Sequence, residues 1–262
     1  MKMERLNSRV VVVEGENARQ MILKGLRYFP YPSKKKVVLK PNLITSQPPP
    51  TTTPPDVVEA LVEYYQMMDY EVVVAEGSGW AETEHAYEVL GYTKIAEKHG
   101  IKLVDLNKDQ YEIKEDTEAL VLKRFEFPLT LKDSYIVSIP ILKEHSITTV
   151  TLSLKNMLGA TVGEKGRFHR SGLDKNIVDI NLYIKPSLAV IDGRVAGVGR
   201  ELGARPKKLG LMIFSEDLVA ADAVGARYLG YDPLKIGHLK LGQEKGLGTA
   251  NLEKIDVIMV KT

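Results

Sequence analysis

Between Lys143 and Arg170 the chain places two histidines around a lysine: His145, Lys155 and His169. Histidine titrates nearest to neutral pH and is a common metal ligand, so His145 and His169 are natural proton carriers or ligands. Lys155 lies in Thr151-Leu152-Ser153-Leu154-Lys155-Asn156, among apolar and hydroxyl residues rather than in a solubilising charge run. A lysine buried in such company loses stabilisation of its charge, its pKa falls, and it becomes a candidate base or nucleophile. The competing reading is a lysine that snorkels to the surface. Arg167 and Arg170 close around His169, which suggests an anion as the group recognised. The remaining histidines, His85, His99 and His238, sit in ordinary helical surroundings and read as structural.

More groups of this kind follow apolar runs. Lys40-Pro41-Asn42 follows Val37–Leu39, and Glu76-Gly77-Ser78-Gly79 follows Val72–Val74. The two glycines let backbone N–H groups turn toward an anion. Asp105-Leu106-Asn107 and Asp192-Gly193-Arg194 close two further runs. In open α/β sheets ligands bind beyond the carboxyl ends of the strands, so these positions belong together. Each also reads as an ordinary turn when taken alone. The expected assignment is His145 and Lys155 for catalysis. Lys40, Asn42, Gly77, Ser78, Asn156 and Arg167 would hold a small anion, and His169, Glu76 and Asp192 would hold a divalent metal. If the site is real, Lys40, Glu76, His145, Lys155 and His169 must meet in one cleft.

The elements that would carry these groups are short β-branched runs. They are Val10–Val13, Val37–Leu39, Val72–Val74, Leu103–Val104, Ile136–Ile139, Leu188–Ile191, Leu211–Phe214 and Val257–Val260. They are apolar throughout rather than alternating, as in strands covered on both faces. Helical patterns fall between them at Ala18–Tyr28, Pro54–Met68 and Leu218–Leu229. Thr53 and Ser215 are their candidate N-caps and Gly230 a stop. Strand–helix alternation predicts an α/β fold: a mostly parallel sheet with helices on both faces, in one domain over 1–262. Asp109–Asp133 breaks the rhythm and reads as a small antiparallel hairpin annex. The segment 147–158 is ambiguous. Its length and the following Gly159 favour a helix, while Thr149–Lys155 alternates like a strand. Residues 159–172, rich in Gly, Lys, Arg and His, read as a long functional loop.

Bulk properties narrow the classes. A hydrophobic fraction of 44% and a charged fraction of 27% are those of an ordinary globular chain. A net charge of +2 gives no field toward nucleic acid or acidic membrane. The Lys34-Lys35-Lys36 run reads as the solvated lead-in to a strand. There are 0 cysteines, which excludes disulfides, thiolate metal sites, cysteine-ligated iron–sulfur clusters and a cysteine nucleophile. No apolar run is long enough to span a membrane. Met1–Arg9 is charged and lacks the core of a signal peptide, so the expected location is the cytoplasm.

Taken together, several motifs are familiar. They are Lys40-Pro41-Asn42, Glu76-Gly77, Lys143-x-His145, Thr151-x-Ser153-Leu154-Lys155-Asn156, Asp192-Gly193 and Ser215-x-Asp217-x-Val219-Ala220-x-Asp222. In this order they resemble the domain-of-unknown-function 362 family over nearly the whole chain. Many members of that family look like they carry ferredoxin-type cysteines, which this chain lacks. The order His145, Lys155, His169 is also remotely similar to the nickel-pincer lactate racemases. That resemblance implies a histidine base, a cofactor-anchoring lysine and a nickel-ligating histidine. The racemases' second catalytic histidine has no counterpart here. The function expected is an enzyme acting on a small anionic substrate, a carboxylate or phosphate, by acid–base chemistry with or without a metal. A non-catalytic cofactor- or metal-binding accessory protein is the alternative, and a purely structural protein the third reading.

Overall fold

A computed structural model describes residues 8–262. The expectation for the N-terminal segment therefore falls mainly on residues 1–7, outside the described part. In chain order the strands are β1 Ser8–Glu14, β2 Lys36–Pro41, β3 Glu71–Glu76, β4 Lys102–Asp105, β5 Tyr111–Glu115, β6 Arg124–Pro128, β7 Ser134–Ile139, β8 Ile141–His145, β9 Thr149–Thr151, β10 Leu188–Val198, β11 Arg205–Ser215 and β12 Ile255–Lys261. The helices are α1 Ala18–Leu26, α2 Pro55–Gln66, α3 Thr83–Val89, α4 Tyr92–His99, α5 Ser153–Asn156, α6 Arg167–Arg170, α7 Leu173–Ile184, α8 Leu218–Tyr228 and α9 Gly237–Glu244.

The main sheet runs β12-β1-β11-β10-β7-β2-β3-β4, with β8 paired to β10 and β9 to β8. Its pairs are parallel except β1–β11, β10–β11 and β8–β9. The expected α/β class holds. Alternation along β1 shows why the strands are apolar throughout. Val10 and Val12 enter one core layer, with Ile177, Ile180 and α8, while Val11 and Val13 enter the other, with Met21, Leu61 and Tyr65. The annex is the antiparallel pair β5–β6. Its Phe125 stacks on Tyr183 of α7 at 4.9 Å between ring centroids, so the hairpin is fastened by one face.

From β2 the chain moves through β3 to β4, then returns to place β7 on the other side of β2. The carboxyl ends of β2 and β7 therefore flank a topological switch point, where loops diverge and leave a crevice.

Local expectations are corrected in three places. Thr53 does not cap α2: its hydroxyl donates to the Ile139 carbonyl at 2.6 Å and accepts from the Asn42 N–H, tying two strand ends together. Asp217, not Ser215, caps α8 by accepting from the Ala220 N–H at 2.9 Å. Ser215 instead donates to the Arg9 carbonyl. The ambiguous 147–158 segment contains both forms, strand β9 and then the single-turn helix α5. The structure also extends β10 and β11 beyond their apolar halves into a projecting arm that ends at residues 199–204. The arm's outer residues are partly solvated, so they carry no buried-strand signature.

α5 is too short to persist on propensity alone. It is held from α8, where the fully buried Asp222 accepts from the Ser153 N–H (2.7 Å), the Ser153 hydroxyl (2.5 Å) and the Leu154 N–H (2.9 Å). Replacing Asp222 by alanine strands two buried backbone donors, which costs roughly 2–5 kcal/mol. Chemical denaturation should show a lower midpoint at unchanged slope. A loss below about 1 kcal/mol would show that α5 does not depend on this carboxylate.

Candidate functional site

A cavity of about 380 Å³ opens at the switch point. Its floor begins with a buried ion pair. Lys40, at the end of β2, places its Nζ 2.9 Å from both Glu76 oxygens at the end of β3. The same ammonium donates to the Pro41 carbonyl and to Asn156 Oδ1. Glu76 also accepts from the Leu43 and Gly77 N–H groups, both at 2.8 Å. Asn156 returns its Nδ2 to the Lys40 carbonyl and to Ser138 Oγ. Burial pushes the Lys40 ammonium below its usual pKa while Glu76 pulls it back up. Glycines make this density attainable: a Cβ on Gly159 would stand 2.0 Å from Glu76 Oε1 and 2.7 Å from Lys40 Nζ.

Above the floor stand Lys155 and His145. Strand alternation along β8 puts Lys143 and His145 on one side and Glu144 on the other. The β8–β9 turn holds Thr149 at φ 67, a left-handed conformation seldom taken by a β-branched residue. That turn brings the Ile147 and Thr148 N–H groups to His145 Nδ1, each at 3.1 Å. With Nδ1 accepting twice, the ring proton sits on Nε2, which lies 3.0 Å from Glu201 Oε2. Glu201 Oε1 accepts from Lys155 Nζ at 2.9 Å. One carboxylate thus bridges the two residues, and it comes from the tip of the β10–β11 arm.

Burial would raise the Glu201 carboxyl. The His145 hydrogen bond and the charges of Lys155 and Lys143 outweigh it and hold Glu201 well below the carboxylate range. Burial also pushes His145 below its ordinary value, against the Glu201 contact. Burial pushes Lys143 and Lys165 each down to about 7. Lys143 is covered and donates to the Thr51 carbonyl at 2.9 Å. Lys165 lines the cavity and donates to the Thr161 carbonyl.

The walls combine Ile44, Leu158 and Trp80 with His169 and the acidic Glu164. Trp80, the chain's single tryptophan, is 69% exposed. Asn42 Oδ1 and Thr151 Oγ1, both from wall residues, are buried without a hydrogen-bond partner.

The five residues that had to meet do so in part. Glu76, Lys155 and His169 line the cavity. Lys40 lies under it on Glu76, and His145 joins through Glu201. Asn42, Gly77 and Asn156 also line it. Ser78 turns away to donate to the Leu43 carbonyl, and Arg167 pairs with Glu126 of the annex at 3.1 Å in a neighbouring cleft. The metal trio does not assemble. Glu76 is committed to Lys40 and two N–H groups, while Asp192 binds Arg194 at 2.9 Å in another cavity. Among the described residues, Glu59, Glu63 and His99 bring three ligand atoms within 4.8 Å of one another, but Lys98 and Arg19 already pair with those carboxylates. Sequence reasoning missed Glu201, Lys165 and Trp80. The available signals were Gly199 and Gly203 around Glu201, the glycine-rich loop at Lys165, and a tryptophan directly after Gly77-Ser78-Gly79.

The sequence model of the family described as Domain of unknown function (DUF362) matches residues 37–227, which span every cavity residue named above. The chain is also similar to the thylakoid-associated protein sll1697 of Synechocystis sp., with 27% identity over 241 residues, 88% of this chain and 74% of the relative. Among the described residues no helix is long and apolar enough to cross a membrane.

The His145 environment has a spectroscopic consequence. Its folded pKa lies below its unfolded value, so protonation favours the unfolded chain, and the stability it contributes is lost as pH falls below 6.5. Nitrogen-15 imidazole spectra at pH 6.5 should show a neutral Nε2–H ring. A ring mostly protonated at that pH, or one carrying its proton on Nδ1, would contradict the assignment.

Proposed function

We infer that this chain, which belongs to the DUF362 family, binds a small carboxylate on Lys155 and His145 and carries out acid–base chemistry beside it. The observation that carries this reading is the Glu201 carboxylate, whose two oxygens are divided between Lys155 Nζ and His145 Nε2–H. The pair is already spaced for a carboxylate, and charge-assisted hydrogen bonds of this kind are the strong ones. Glu201 occupies the position the ligand would take, and it is carried by an arm flanked by Gly199 and Gly203, both at positive φ.

The roles follow from the geometry. Lys155 anchors by charge. His145, neutral and with Nδ1 filled, has no free basic nitrogen; it is a donor to a ligand oxygen that gains negative charge, not a proton shuttle. Proton transfer then falls to other side chains of the cavity wall, Lys165 and His169. The floor of Lys40, Asn42 and Asn156 keeps the ligand end of the sheet polar and fixed. The similarity to the nickel-pincer lactate racemases enters only through the order of His145, Lys155 and His169. Glu76 and Asp192 are given structural roles by their ion pairs with Lys40 and Arg194.

Trp80 at the rim offers a direct readout. Titration with glycolate should change its fluorescence, inorganic phosphate should compete weakly, and Lys155→Met should weaken glycolate binding about tenfold to hundredfold. Glu201→Ala, which removes the internal competitor, should strengthen it. Unchanged affinity in Lys155→Met would refute the anchor. Binding without turnover of any hydroxy or carbonyl acid would move the protein to the accessory class.

A further inference from the structure

The cavity holds two lysines in opposite electrostatic settings. Lys155 has a carboxylate at 2.9 Å. Lys165 is buried against Gly77 and Gly79, its Nζ bonds only the Thr161 carbonyl, and no salt bridge to it occurs among the described residues. Of the charges that face it, Glu76 and Asp105 favour the ammonium while Lys40 and Arg167 oppose it, and desolvation exceeds all four. When two like groups in one site meet such different surroundings, their tasks divide. Lys155, held by a carboxylate, is placed for binding, while Lys165, buried and without a carboxylate against it, is available as a free amine.

Space and acceptors are also in place. A Cβ on Gly77 would lie 2.8 Å from Lys165 Nζ and 2.8 Å from Asn107 Oδ1, so glycine keeps that corner open. Asn107 Oδ1 is buried without a hydrogen-bond partner, as is Asn42 Oδ1 across the floor. Both are acceptors suited to an O–H or an iminium N–H. Mechanism requires an uncharged amine, a nearby anchor that presents the substrate, and acceptors for the protons that move.

We propose that Lys165 forms a Schiff base with a carbonyl-bearing carboxylate whose carboxylate sits on Lys155 and His145. The proposal rests on the carboxylate reading above. The amine nitrogen attacks the carbonyl carbon, a C–N bond forms, and the oxygen takes up the proton that nitrogen releases. The carbinolamine then loses water to give the C=N bond, so amine plus carbonyl gives imine plus water. The iminium is an electron sink that acidifies the adjacent C–H, which joins the anchor and the proton-transfer groups in one reaction class.

The test uses the full chain with glyoxylate or succinic semialdehyde and sodium cyanoborohydride, followed by peptide mass mapping. The expected result is one dominant reduced adduct, on Lys165, absent in Lys165→Arg and Lys165→Met. Glycolate binding to the wild-type chain is followed in parallel by the Trp80 signal, and both variants should keep the wild-type far-UV circular dichroism. Lys155→Met should cut adduct formation at limiting aldehyde about tenfold or more. Adducts spread over surface lysines, or seated on Lys155, overturn the proposal. Glycolate binding with no Lys165 adduct overturns the Schiff base and leaves the carboxylate reading intact. Loss of both signals in the wild-type protein overturns the carboxylate reading itself.

Discussion

A charged lysine cannot be kept in a dry interior without a carboxylate and a full set of acceptors, and Lys40 is such a lysine. Its Nζ is shared among Glu76, the Pro41 carbonyl and Asn156. Desolvating two ions costs several kcal/mol each, and only close, saturated geometry repays it. That requirement fixes the ends of β2 and β3, the first residues of the loops that leave them, and the orientation of α5. Gly159 and Gly77 follow from it, because side chains there would collide with the pair or with its neighbours. The polar floor of the cavity is thus a consequence of satisfying one ion pair at a switch point.

The site is built outward from that floor. Asn156 is locked into it, so Lys155, one residue earlier on the same single turn, is placed with little freedom. Asp222 holds that turn from behind. On the facing side the strained β8–β9 turn fills His145 Nδ1 and leaves Nε2–H to point outward. Two donors, one charged and one neutral, then stand where a single carboxylate can take both. In this structure that carboxylate is Glu201. The three nearby lysines differ only in surroundings: Lys143 is covered, Lys155 is paired, and Lys165 is buried in the cavity wall without a carboxylate.

Much of the scaffold was legible in the sequence because it depends on local pattern. Apolar runs such as Val37–Leu39 and Val72–Val74 read as strands covered on both faces, and their ends carry Lys40-Pro41-Asn42 and Glu76-Gly77. What could not be read depends on partners far apart in sequence. The Thr151–Asn156 run marks Lys155 as unlike a solubilising lysine, but the carboxylate that meets it is 46 positions away. The same distance hides Glu201, whose arm has no buried-strand signature. Asp192 looked like a ligand at a strand end, yet Arg194, two residues on, takes its oxygens. Thr53 and Ser215 were reasonable caps by type, but tertiary acceptors drew their hydroxyls away. Segment 147–158 carried both periodicities because it contains both structures in turn.

The Lys155–His145 pair is best tested by the crystal structure of Glu201→Ala grown with glycolate near neutral pH. The geometry requires the carboxylate of glycolate to replace that of Glu201, with one oxygen on Lys155 Nζ and the other on His145 Nε2, and its remaining atoms directed toward Lys165. Glycolate bound elsewhere, or a pair that turns to other protein groups and leaves the ligand out, would contradict it.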